Sequence, residues 1–169
     1  MKIVSSDHQL ALAKQAVAAA RRQGWCLATA ESCSGGLIAT LLSRTEGAGM
    51  CFHGGIVTYS KDMKHAALGV PLELLAQKSA VCPEGAQAMA SGAAARTPAD
   101  AAIAITGVAG PDPDEDGNPV GLVYAAVATP RETAVRRLDL GNRSPDEIIS
   151  DAICGALELF LEQSRERAA

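Results

Sequence analysis

The sequence predicts an α/β chain: a three-layer α/β/α sandwich around a mixed, mostly parallel sheet. Three observations carry this. Segments with helical spacing alternate with short apolar runs through the first two thirds of the chain. Two further strand-like segments then follow one another across Pro130-Arg131 and fit a hairpin. The apolar content is mostly Ala, Val, Leu and Ile, with 16 Gly and only five aromatic residues, so helices and sheet can approach closely.

The elements follow in order. Ser6, with Gln9 three residues on, forms a capping box. Leu10, Leu12, Ala13, Ala16, Val17 and Ala20 recur at helical spacing and Gly24 stops them, which predicts a helix over about 7–23. Residues 25–30 read as a buried strand that ends in Glu31-Ser32-Cys33-Ser34-Gly35-Gly36. Leu37, Ile38, Leu41 and Leu42 open the next helix. Residues 52–59 predict a second strand, weakened at Gly54-Gly55. Ser60 caps a helix over 61–68, Gly69 ends it, and Pro71 opens a short helix to about Lys78.

After an extended link at Val81-Cys82, Pro83 starts a helix through Ala86, Met89, Ala90, Ala93 and Ala94. Residues 100–105 are another buried strand, which leaves through Thr106-Gly107-Val108-Ala109-Gly110-Pro111 into an acidic loop at 112–119. Residues 120–129 and 133–140 form the hairpin. Ser144 and Glu147 make a second capping box with Pro145 at the first helical position. The last helix runs through Ile148, Ile149, Ala152, Ile153, Ala156, Leu157, Phe160 and Leu161, and residues 164–167 read as a solvated tail.

The 169 residues suit one domain, expected over 1–169. The net charge of −4 and the lack of a basic stripe argue against direct nucleic-acid binding. No apolar stretch reaches the roughly 18–20 residues of a membrane span, and the start is polar, so a cytoplasmic protein is expected. Five scattered Cys without a C-x-x-C read as reduced thiols. Cys51, His53, His65 and Cys82 lack zinc spacing, so no metal is expected.

Ligands of open α/β sheets sit beyond the C-terminal strand ends, where the turns 31–36 and 106–111 fall. Ser32 and Ser34 lie where a strand becomes a helix. There a serine either caps the helix or serves as a nucleophile beside outward-pointing N–H groups. None of the three His has a catalytic context and G-x-S-x-G is missing, which leaves Lys61 and Lys64 as candidate bases. The glycine-containing 106–111 turn allows close approach of a phosphate or ribose, and Arg143 could clamp a phosphate or be solvated.

The segments Thr29-Ala30-Glu31-Ser32-Cys33-Ser34-Gly35-Gly36, Gly55-Ile56-Val57-Thr58-Tyr59-Ser60, Leu68-Gly69-Val70, residues 105–111 and Pro119-Val120-Gly121 together resemble the CinA C-terminal domain family. The resemblance covers about 7–162 and is to the stand-alone form, without the N-terminal domain of full-length members. That form includes nicotinamide-nucleotide amidohydrolases. It implies hydrolysis of nicotinamide mononucleotide (NMN) to nicotinate mononucleotide and ammonia, with no cofactor. It further implies Ser32 as nucleophile, Lys64 as base and Tyr59 as a catalytic partner that orients or relays. Glu31, Cys33, Ser34, Gly35, Gly36, Thr106, Gly107, Ala109, Gly110 and Arg143 would bind substrate. Self-association of the chain is a further expectation.

Two departures bear on the site. Lys61 stands where the family has Asn, a cation that could depress Lys64 or compete with it as base. The loop after Pro111 is acidic, and its four carboxylates would repel a phosphate unless they point away. Cys33 is an alternative nucleophile of the same class. A nucleotide- or partner-binding module without catalysis is the alternative of another class.

Overall fold

The computed structural model describes residues 6–165. The polar start at 1–5 and the end of the expected tail, 166–167, lie outside the described residues. The helices are α1 (Asp7–Gln23), α2 (Leu37–Ser43), α3 (Lys61–Leu68), α4 (Leu72–Lys78), α5 (Pro83–Arg96) and α6 (Pro145–Gln163). The strands are β1 (Leu27–Glu31), β2 (Phe52–Val57), β3 (Ala101–Gly107), β4 (Leu122–Ala128) and β5 (Thr133–Asp139).

Both expected capping boxes form. Ser6 and Gln9 exchange bonds at the start of α1, and Ser144 and Glu147 do so at α6. These four residues settle their own orphan donors locally, which is why they are readable from sequence.

The five strands lie in the order β2-β1-β3-β4-β5. β2, β1 and β3 are mutually parallel, whereas β4 runs antiparallel to both β3 and β5. Four of the five strands therefore point the same way, and the mixed, mostly parallel sheet is as expected.

Side-chain alternation divides the sheet into two faces. Ile103 and Ile105 turn toward α1, α2 and α6, joined by Leu27, Val123, Val127, Leu157 and Phe160. Ala102, Ala104 and Ala126 turn toward α5, against Ala86, Met89, Ala90 and Ala93. The small residues have a specific consequence on this second face. A Cβ added at Gly92 would stand 2.1 Å from the Leu68 carbonyl oxygen, so α3 crosses α5 at backbone distance. Helix α3 carries Lys64, and its placement depends on that contact.

Strand ends differ from expectation for local reasons. Trp25 still bonds to the Ala20 carbonyl at the end of α1, so β1 begins at Leu27 rather than at residue 25. Leu122 N–H closes a turn onto Pro119 around Gly121, whose φ of 86° suits glycine, so β4 begins two residues late. β3 runs on to Gly107 because Thr106 and Gly107 pair with Tyr124 and Val123. Among the described residues, no helix is long and apolar enough to cross a membrane.

Candidate active site

The C-terminal ends of β2, β1 and β3 lie side by side, and the chain leaves each of them toward one cavity of about 470 Å³. That is within the usual size for a small-molecule site. Ser32 follows β1 directly. It is 7% exposed, and its N–H is fixed by the Ile105 carbonyl on β3. On the other flank, Thr58 N–H bonds to the Glu31 carbonyl, which carries the pairing of β2 one residue past the strand. The nucleophile candidate is thus held by both neighbouring strands.

Thr58, Tyr59 and Ser60 turn the chain back so that α3 lies over the same edge. Ser60 Oγ accepts from Met63 N–H and caps the helix. Lys64 then sits in the second turn, 2% exposed. Its Nζ lies 2.8 Å from Ser32 Oγ, 2.7 Å from the Thr58 carbonyl oxygen and 3.2 Å from the Tyr59 carbonyl oxygen. Burial of the ammonium pushes the Lys64 pKa down to about 8, and the nearby Cys33 thiol opposes this weakly. Lys61 is not a cause of that shift. Its Nζ bonds instead to Asp116 at 2.7 Å and Glu115 at 3.1 Å, and the Asp116 bond raises its pKa. This corrects the expectation of a second cation depressing or replacing the base.

Cys33 lines the cavity beside Ser32. Burial pushes its thiol up to about 12, against weaker help from the Cys33 and Ser34 N–H groups. A thiol so placed stays protonated at neutral pH and is a poor nucleophile. After Ser32, Gly35 N–H bonds to the Ser32 carbonyl and Leu37 N–H to the Ser34 carbonyl. The N–H groups of Cys33 and Ser34 bond to no carbonyl oxygen among the described residues and face the Cys33 thiol.

Several expected substrate contacts belong to the scaffold. Glu31 is fully buried and does not line the cavity. Its carboxylate accepts from Thr29 Oγ1, Ser34 Oγ and the N–H groups of Ile38 and Ala39, at 2.7–3.0 Å. It anchors the first turn of α2, whose N-cap Gly36 offers no side chain. Ser34 is spent in the same contact. Gly35 and Gly36 shape the turn with φ of 59° and 97° and also stay off the cavity wall. Replacing Glu31 by Ala would orphan three buried donors and a partly buried one. It is expected to cost at least about 3 kcal/mol, or roughly 6–12 °C in Tm, in a calorimetric scan.

Arg143 is likewise not on the cavity wall. Its Nε donates to the Leu140 carbonyl at 2.9 Å and its Nη2 pairs with Asp151 at 2.7 Å, so α6 holds the guanidinium. Tyr59 reaches Lys64 through its main-chain carbonyl, and the residue, 80% exposed overall, borders the cavity. The phenol makes no hydrogen bond among the described residues. Thr106, Gly107, Ala109 and Gly110 do line the cavity, with the Thr106 hydroxyl tied to the Ala80 carbonyl. Sequence reasoning missed Thr58, whose carbonyl is the nearest partner of Lys64, and the walls Ala80 and Val81. Neither has a signal in its residue type. It also missed the partner of Lys61, for which a lone lysine opposite a run of acids was a usable clue.

Comparison with known proteins agrees with this architecture. Residues 9–164 match the family described as the CinA C-terminal domain. A CinA-like protein of Geobacter sulfurreducens is 49% identical over 108 residues, covering 64% of this chain and 26% of that protein. One from Frankia casuarinae is 44% identical over 133 residues, covering 79% of this chain and 30% of its own length. The chain thus spans under a third of the curated relatives it matches. Among solved structures, the competence/damage inducible protein CihA from Agrobacterium tumefaciens superposes with a TM-score of 0.91 at 33% identity, covering 96% of this chain and 99% of that one. A CinA superfamily protein from Escherichia coli gives 0.85 at 32% identity, covering 96% and 95%.

Proposed function

The chain belongs to the CinA C-terminal domain family, and we propose that it is an amidohydrolase that converts NMN to nicotinate mononucleotide and ammonia by a Ser–Lys mechanism. The observation that carries this reading is the set of three oxygens around Lys64 Nζ. A neutral amine has two N–H bonds and one lone pair. The Thr58 and Tyr59 carbonyls are acceptors only, so they take the two N–H bonds. The lone pair is then left facing the Ser32 hydroxyl at 2.8 Å, the arrangement a general base needs.

The reaction follows from that geometry. Lys64 takes the Ser32 proton as Oγ attacks the carboxamide carbon. The negative charge that develops on the amide oxygen is met by the N–H groups of Cys33 and Ser34, which bond to no carbonyl oxygen among the described residues. The Lys64 ammonium then hands its proton to the departing ammonia, leaving an ester on Ser32. Water, deprotonated by the same amine, attacks the ester, and the Lys64 ammonium returns the proton to Ser32 Oγ as the C–O bond breaks and the carboxylate is released. The N–H groups of Ala109 and Gly110 have no partner among the described residues and line the same cavity, where they serve as donors for ribose or phosphate oxygens.

The test is to incubate the purified protein with NMN and quantify both products. The reading expects ammonia and nicotinate mononucleotide in equal amounts. Binding of NMN without turnover would instead favour a module that recognises nucleotides without catalysis. Because the Cys33 thiol stays protonated, Cys33→Ala is expected to keep kcat/KM within about threefold of the parent. A loss of a hundredfold in that assay would move the nucleophile to Cys33.

A further inference from the structure

The acidic loop raises a difficulty for any phosphate-bearing substrate, because Asp112, Asp114, Glu115 and Asp116 all line the cavity that holds Ser32. Resting on the amidohydrolase reading, we infer that Lys61 is a positioning residue: it latches this loop to α3 and offsets part of the negative charge of Glu115 and Asp116. The loop is a unit with its own internal order. Asp114 accepts from the N–H groups of Asp116 and Asn118 and from Asn118 Nδ2, at 2.8–3.0 Å. Gly117 N–H closes a turn onto the Asp114 carbonyl. Such a unit moves as one piece and needs external anchors to stay in place.

Two anchors are present. Asn118 Nδ2 donates to Ser79 Oγ at 2.9 Å, and Ser79 is itself held in a φ of 76° with its Oγ accepting from Val81 N–H. Ser79 is the only non-glycine residue with positive φ among the described residues, a conformation that persists only where surrounding contacts enforce it. The other anchor is Lys61, whose Nζ spans Asp116 at 2.7 Å and Glu115 at 3.1 Å. The side chains of Lys61 and Asp116 are each 29% exposed, so this pair is better shielded than an ordinary surface contact. Lys61 and Asp116 shift each other's pKa away from neutrality, so both stay charged at physiological pH. Lys61 also lies one turn before Lys64 on the same helix, so the latch fixes the loop relative to the base.

The role predicts a particular kinetic signature. Lys61→Met removes the cation beside Glu115 and Asp116 and leaves Ser79 as the remaining anchor of the loop. It is expected to raise KM for NMN about fivefold or more, with kcat within about twofold, and to speed amide hydrogen exchange at residues 114–118. The reversed pair Lys61→Glu with Asp116→Lys is expected to restore much of both. Collapse of kcat in Lys61→Met would make Lys61 a base and overturn the proposal. Unchanged KM with unchanged exchange, or a reversed pair no better than Lys61→Glu alone, would overturn it too. If the parent protein released no ammonia from NMN, the amidohydrolase reading would fail by itself. The latch would then stand or fall on the exchange rates of the parent, Lys61→Met and the reversed pair.

Discussion

Lys64→Met is expected to abolish turnover while leaving the protein as stable as the parent or more so near neutral pH. Loss of the base removes both proton transfers, which predicts a fall of about 10³-fold or more in kcat. The stability effect follows from linkage. The folded-state pKa of about 8 lies below the ordinary 10.5. Below pH 8 both folded and unfolded chains carry the proton, and the parent bears the full cost of a buried ammonium. Between about 8 and 10.5 only the unfolded chain is protonated, so stability climbs with pH. The climb amounts to about 3 kcal/mol as an order of magnitude.

Met keeps the aliphatic volume and removes the charge. Against the gain, the Thr58 and Tyr59 carbonyls each lose a donor, worth about 1 kcal/mol apiece. The Tyr59 bond is only partly buried, so water replaces that donor. The charge term wins, and Tm at pH 7 is expected to rise by roughly 3–6 °C. Over pH 8–10.5 the stability of the variant should stay flat where that of the parent rises. Thermal scans at three pH values check both statements. A variant destabilised by several degrees at pH 7 would mean that the ammonium is stabilised in place.

Ser32→Ala carries the other large effect. The substitution removes one hydroxyl whose hydrogen bond goes to Lys64, and it keeps the N–H bond to Ile105 that fixes the position. Activity is expected to drop about 10³-fold or more, because no second hydroxyl or thiolate takes the place of the nucleophile. The Ser34 hydroxyl is committed to Glu31, and the Cys33 thiol stays protonated. Thermal stability should move by less than about 2 °C. Steady-state ammonia release together with a melting curve separates lost chemistry from lost folding. Retained turnover would mean that Ser32 is not the attacking group.

Residues whose structure is decided by near neighbours were legible in the sequence. The capping boxes at Ser6 and Ser144, the stops at Gly24 and Gly69 and the alternation of Ile103 with Ala102 and Ala104 are all of this kind. The strand order was not legible, because placing β1 between β2 and β3 is a choice among long-range pairings that no local pattern encodes. In the site, Ser32 and Lys64 were named through their motifs, and the structure brings them to 2.8 Å. The family resemblance implies Glu31 and Arg143 as substrate contacts. Each found a closer set of partners instead: four donors for Glu31, and Asp151 with the Leu140 carbonyl for Arg143. Lys61 meets its partner 55 positions away, a distance at which charge type alone suggests many pairings.

The central claim is that a buried lysine with a lowered pKa deprotonates Ser32, and the pH profile of kcat/KM for ammonia release from NMN tests it most directly. Only neutral Lys64 offers a lone pair, so the rate should rise about tenfold per pH unit below the pKa and level off above about pH 8. A profile that stays flat from about pH 6 to about pH 9, the span over which the base titrates, would contradict the assignment of Lys64 as the base.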